Sequence, residues 1–118
     1  MSDEVRIFYN PKCSKSRQAM DILKNKGVNI SVIEYLNTPP GSAELKEILN
    51  LLGIEPRDLM RKLEAPYKEN NLDNPDLSRD QLIQAMIDNP VLIERPIVIN
   101  GEKATIGRPP EKVLDILS

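Results

Sequence analysis

Hydrophobic and polar positions alternate at the start of the chain. In Val5-Arg6-Ile7-Phe8-Tyr9 strand-forming residues recur with a period of two, which predicts a first strand. Asn10-Pro11 ends it. From Cys13 or Ser14 to Lys26 the period lengthens. Ala19, Ile22 and Leu23 fall on one helical face, and Gly27 stops the helix. The run "NISVIEYL" at 29–36 predicts a second strand, and its partly continuous apolar character suits a central place in a sheet. Strand, helix and strand in this order form a βαβ unit with parallel strands.

The middle of the chain keeps the helical period. After a turn at 37–41 ("NTPPG"), Ser42 is read as the cap of a helix with Leu45, Ile48, Leu49 and Leu52 inward and Gly53 at its end. Pro56 opens a shorter helix through Leu63. Residues 64–77 are polar and read as loop with fragments of helix. Ser78 and Gln81 form a capping box ahead of a helix to Asp88 that turns Leu82, Ile83 and Met86 inward. Alternation then returns. Ile97-Val98-Ile99, Asn100-Gly101 and a second alternating run predict a hairpin with a type I′ turn. Pro109-Pro110 open a last helix with Val113, Leu114 and Leu117 inward. The expected fold class is α/β: a thioredoxin-like mixed sheet in the order β-α-β, helical insertion, β-β-α. It forms a single domain over 1–118, with the insertion at about 42–88.

Composition narrows the function. The chain has 118 residues, 29% of them charged, and a net charge of −2, so no global field points to nucleic acid or an anionic membrane. Aromatic residues are 3% and Trp is missing, which argues against a base-stacking surface. There is no His, the commonest general base and metal ligand, so no metal site is expected. The N-terminus does not read as a signal peptide, and no apolar run nears the roughly 20 residues of a membrane span. A cytoplasmic, reduced-thiol setting is expected.

Cys13 is the one cysteine. It lies where a strand gives way to a helix, at the carboxyl end of a parallel strand, where α/β sheets place sites. Helix-terminal N–H groups and the neighbouring Lys12, Lys15 and Arg17 favour a thiolate and an adjacent oxyanion. Ser14 and Ser16 offer hydroxyl donors. The bland reading is a small buried hydrophobe. Arg95 and Arg108 bracket the hairpin and are expected near each other; guanidinium groups bind tetrahedral oxyanions bidentately. Arg61 lies in "LMRK". Ala19 stands where a Cys-x5-Arg phosphatase needs Arg, and no phosphate-binding glycine loop is present.

In "FYNPKCSKSR", "EYLNTPP", "LMRK", "ERPIVI" and "IGRPPE", taken in order, the whole chain resembles the ArsC-type arsenate reductases of the glutaredoxin-linked class. The resemblance implies arsenate at the Cys13 loop, with Asn10, Ser14 and Ser16 in support and Arg61, Arg95 and Arg108 on the oxyanion. It implies a covalent arsenate adduct on Cys13, attacked by glutathione and resolved by glutaredoxin, with no bound cofactor. It also implies a cis Arg95-Pro96 bond. One cysteine cannot supply both thiols, so an external thiol is required. Plasmid-encoded members carry His where Tyr9 stands here. Two alternatives stay open: a redox-responsive regulator that binds RNA polymerase, and a glutathione-linked thiol oxidoreductase without arsenate activity. Ser16, in place of a second cysteine, and Arg108 argue against the regulator.

Overall fold

A computed structural model describes residues 4–117. They form two compact units, one of residues 4–38 with 95–117, the other Pro39–Glu94.

The first unit holds β1 (Glu4–Phe8), α1 (Ser14–Asn25), β2 (Asn29–Ile33), β3 (Ile97–Asn100) and β4 (Lys103–Ile106). The sheet order is β2-β1-β3-β4. β1 runs parallel to β2 and antiparallel to β3, so Ile7 faces Val32 on one side and Val98 on the other. β4 completes an antiparallel hairpin with β3. This is the mixed α/β, thioredoxin-like sheet expected from the sequence. Val5, Ile7 and Val98 turn one face of it towards Ala19, Met20 and Leu23 of α1 and towards Val113 and Ile116 near the end of the chain. Pleating sends these strand residues to one side, and the helical period gathers 19, 20 and 23 on one stripe.

β2 departs from expectation. It is an edge strand, and β1 and β3 fill the centre. Asn29 and Val32 are exposed, whereas Ile97, Val98 and Ile99 are all buried. An apolar run marks a central strand only when both faces are covered; that condition is met in β3. β2 also stops at Ile33, because Glu34 O accepts hydrogen bonds from the N–H groups of Asn37 and Thr38 and closes a turn.

The hairpin turn also differs. Asn100 pairs with Lys103, which leaves Gly101-Glu102 as the central residues. Only Gly101 has positive φ, at 61°. A type I′ turn needs positive φ at both; glycine alone at the first central position is the type II′ pattern. The closing segment Pro110–Ile116 is a 3-10 helix rather than an α-helix. Its three-residue period buries Pro110, Val113 and Ile116 and leaves Leu114 exposed.

The second unit contains α2 (Ser42–Leu52), α3 (Ala65–Glu69) and α4 (Arg79–Asp88). Gly41, not Ser42, is the N-cap of α2; Ser42 is already helical. Gly53 ends α2 at φ 68°, the left-handed conformation that glycine reaches without a Cβ clash. The expected helix from Pro56 to Leu63 is only a 3-10 turn, Pro56–Leu59, because Met60 leaves it to pair with Ile93. α4 has the expected capping box: the N–H of Gln81 donates to Ser78 Oγ at 3.1 Å, and the N–H of Ser78 donates to Gln81 Oε1 at 2.7 Å. Leu45, Ile48 and Leu49 of α2 and Leu82, Ile83 and Met86 of α4 are buried.

Candidate active site

The site is built where β1 turns into α1. Asn10 organises the turn three ways. Its carbonyl accepts the N–H of Cys13 at 3.0 Å, and its Oδ1 accepts the N–H of Lys12 at 3.0 Å. Its own N–H points to Ser16 Oγ at 3.4 Å. Arg17 braces the outside: Nη1 donates to the carbonyl of Pro11 at 2.8 Å. Of the basic neighbours noted in the sequence, Arg17 therefore holds the loop.

Cys13 is the N-cap residue of α1, extended at φ −97°, ψ 122°. It is only 7% exposed. Burial pushes a thiol pKa up, but here it is outweighed. The N–H and hydroxyl of Ser16, the charge of Arg95 and the N–H of Lys15 all favour the thiolate, and the net pKa is lowered. These backbone groups belong to the first turn of α1, where N–H groups have no helical acceptor. They favour the charged sulfur without closing a formal cap hydrogen bond.

Ser16 is fully buried. A hydroxyl has one proton and two lone pairs. With Asn10 N–H aimed at its oxygen, Ser16 keeps its proton for the sulfur, so one side chain ties the loop to the thiolate. Ser14, by contrast, is exposed on the first position of α1.

Arg95 and Arg108 meet at the sulfur from the far end of the chain. Arg108 Nε donates to the carbonyl of Arg95 at 2.7 Å, and its Nη2 lies 3.9 Å from Cys13 Sγ. Nε and Nη1 of Arg95 are sealed from solvent. The expected cis bond is found at Arg95-Pro96, and a second, not foreseen, at Arg108-Pro109. Gly107 was also missed. Its N–H donates to Pro96 O at 2.8 Å, and a Cβ there would stand 2.9 Å from Pro96 Cγ. Only glycine lets the chain pass so close, and that approach carries Arg108 to Arg95. The signal was present in "IGRPP", where a glycine follows a strand.

Arg61 belongs to the second unit. Its N–H donates to Leu92 O at 2.7 Å, and its guanidinium pairs with Glu64 at 3.1 Å and Glu94 at 4.0 Å.

Chemically, the first unit presents a buried thiol whose ionised form is favoured, with the guanidinium of Arg108 3.9 Å from the sulfur and the charge of Arg95 acting on it. A thiol that could serve as a nucleophile and cations that would bind a tetrahedral anion share one place. The profile of the ArsC family matches residues 8–116. The chain is 52% identical over 118 residues to YfgD of Escherichia coli K12, described as uncharacterised, with 99% of each chain covered. It is 48% identical over 115 residues to a protein of Neisseria meningitidis named arsenate reductase, covering 97% of this chain and 98% of the other. The solved arsenate reductase of Vibrio cholerae matches with a TM-score of 0.95 at 49% identity, over 99% of this chain and 100% of that one.

Proposed function

The chain belongs to the ArsC family, and we propose that it reduces arsenate to arsenite through a covalent adduct on Cys13. The observation that supports this most is the approach of Arg108 Nη2 to Cys13 Sγ at 3.9 Å, with the charge of Arg95 acting on the same sulfur. An oxyanion held by these guanidinium groups lies against the nucleophile. The binding groups also keep the thiol ionised.

The thiolate attacks arsenic, and one arsenate oxygen leaves as water. Reduction from arsenic(V) to arsenic(III) then takes two electrons. Two thiols supply them by becoming one disulfide. Cys13 is the only cysteine of the chain, so the second thiol is external. Glutathione fills that role as co-substrate, and glutaredoxin resolves the resulting mixed species. The protein carries no bound cofactor in this scheme. The need for reduced thiols assigns the reaction to the cytoplasm. Among the described residues no helix is long and apolar enough to cross a membrane.

One observation favours a second reading. Tyr9 packs half-buried against the core and offers no imidazole to the site. Without that group, a glutathione mixed disulfide is an alternative substrate to arsenate.

Arsenite formation by the purified protein, with glutathione and glutaredoxin each omitted in turn, tests the proposal. Turnover is expected only with both. Turnover without glutathione would overturn the external-thiol scheme. No arsenite under any condition, with rapid reduction of a glutathione mixed disulfide, would select the second reading.

A further inference from the structure

A cleft of about 200 Å³ opens beyond the carboxyl ends of the parallel pair β1 and β2. Ligands of open α/β sheets gather at such strand ends. One wall is the turn that carries the nucleophile, with Lys12 and the half-buried Tyr9. The opposite wall follows β2 and contributes Glu34, Leu36 and Asn37. The cleft and the Cys13 thiolate are therefore joined by the short turn in which Asn10 O accepts Cys13 N–H.

The lining has a definite chemistry. Lys12 and Glu34 are both exposed and of opposite sign. Among the described residues, neither side chain takes part in an ion pair or hydrogen bond. Leu36 is 44% exposed, which for a leucine leaves an apolar surface on the cleft wall. Complete small-molecule sites usually span roughly 300–1,000 Å³. This cleft is smaller, and takes one amino-acid-sized end of a ligand. An α-amino-acid end carries an ammonium and a carboxylate on one carbon. Glu34 and Lys12 present the complementary pair of charges. Salt bridges between surface charges are individually weak, so the selectivity rests on both charges being read together.

We propose that this cleft seats the α-amino-acid end of a glutathione-type peptide thiol, Glu34 meeting its ammonium and Lys12 its carboxylate, so that its sulfur is directed to Cys13. This rests on the reading of Cys13 as a nucleophile served by an external thiol. It adds the place where that thiol is recognised.

The test uses no arsenate. Oxidised glutathione reacts with the Cys13 thiolate directly. A new Cys13–glutathione S–S bond forms, the S–S bond of the reagent breaks, and one glutathione thiolate leaves with the electron pair. The rate is followed by intact mass for the wild type, Glu34→Lys and Lys12→Gln. Bis(2-hydroxyethyl) disulfide, which has no amino-acid end, is the parallel reagent. Relative to its rate with the hydroxyethyl reagent, which absorbs any change in the thiolate itself, each variant is expected to react roughly three- to fivefold more slowly with oxidised glutathione. Glu34→Lys gives a difference of sign. Oxidised glutathione is a net anion at neutral pH, so general attraction alone would speed its reaction with this variant. An equal or faster rate, or equal slowing with both reagents, overturns the proposal. Arsenate turnover can fail while this selectivity holds, and the selectivity can fail while turnover holds, so the two readings are judged separately.

Discussion

Arg108 Nη2 stands 3.9 Å from Cys13 Sγ although the two residues are 95 positions apart, and it does so with its Nε anchored at 2.7 Å on the carbonyl of Arg95. One planar guanidinium thus binds the backbone of Arg95 and faces the sulfur of Cys13 at once. Lysine cannot divide itself in this way. Arg108→Ala is expected to raise the KM for arsenate roughly tenfold or more, the scale of a lost hydrogen bond to a charged group. Arg108→Lys should restore little of it. Steady-state kinetics check both; recovery in the lysine variant would mean that charge alone matters.

Ser16→Ala should raise the Cys13 pKa. The substitution removes the hydroxyl that favours the thiolate and leaves the burial that opposes it. Iodoacetamide alkylation against pH reads this out, with the midpoint of the variant above that of the wild type. Linkage gives the sign for stability. The folded thiol pKa is lowered, so the thiolate's contribution is complete above the pKa of an unfolded thiol, near 8.5. It is lost as pH falls through the lower folded value. Ser16→Ala should narrow that window from the low-pH side. Identical alkylation midpoints would show that the Ser16 hydroxyl does not favour the thiolate.

Gly107→Ala should destabilise the protein by about 1–3 kcal/mol, the usual cost of overpacking. The added Cβ would meet Pro96 Cγ at 2.9 Å, and a proline ring has little freedom to yield. Because the next residue is Arg108, arsenate affinity should fall with stability. Thermal unfolding and KM together test this. A wild-type melting temperature would show that the approach of Gly107 to Pro96 is not needed.

Ser78→Ala should cost about 1 kcal/mol through loss of the N-cap of α4. Denaturant unfolding measures it. Ser42→Ala should cost much less, since Ser42 lies inside α2 and makes no cap bond there. Equal losses would contradict the assigned cap positions.

The place of Cys13 at the head of its helix was legible because it rests on local signals. A strand pattern, Asn-Pro and a helical period fix where Cys13 stands. The nearness of Arg95 and Arg108 was legible for a similar reason: a hairpin brings its flanks together. The features that escaped depend on neighbours. β2 looks central by its own residues, but its place is set by the pairing of β1 with β3. Leu114 fits an α-helical inner face, yet the segment closes as a 3-10 helix and turns it outward. The role of Gly107 needs Pro96, eleven positions earlier, to be seen beside it. Arg17 reads as a cation for the thiolate by proximity in sequence, while its guanidinium is engaged by Pro11 O.

In the proposed reaction the sulfur of Cys13 is the nucleophile. The most direct test is arsenite formation from arsenate by wild type and Cys13→Ser, with glutathione and glutaredoxin in excess. Serine keeps the size and the loop but has no thiolate to offer. The wild type should form arsenite at a steady rate and the variant none above the protein-free background. Arsenite formation by Cys13→Ser at the wild-type rate would rule out Cys13 as the nucleophile.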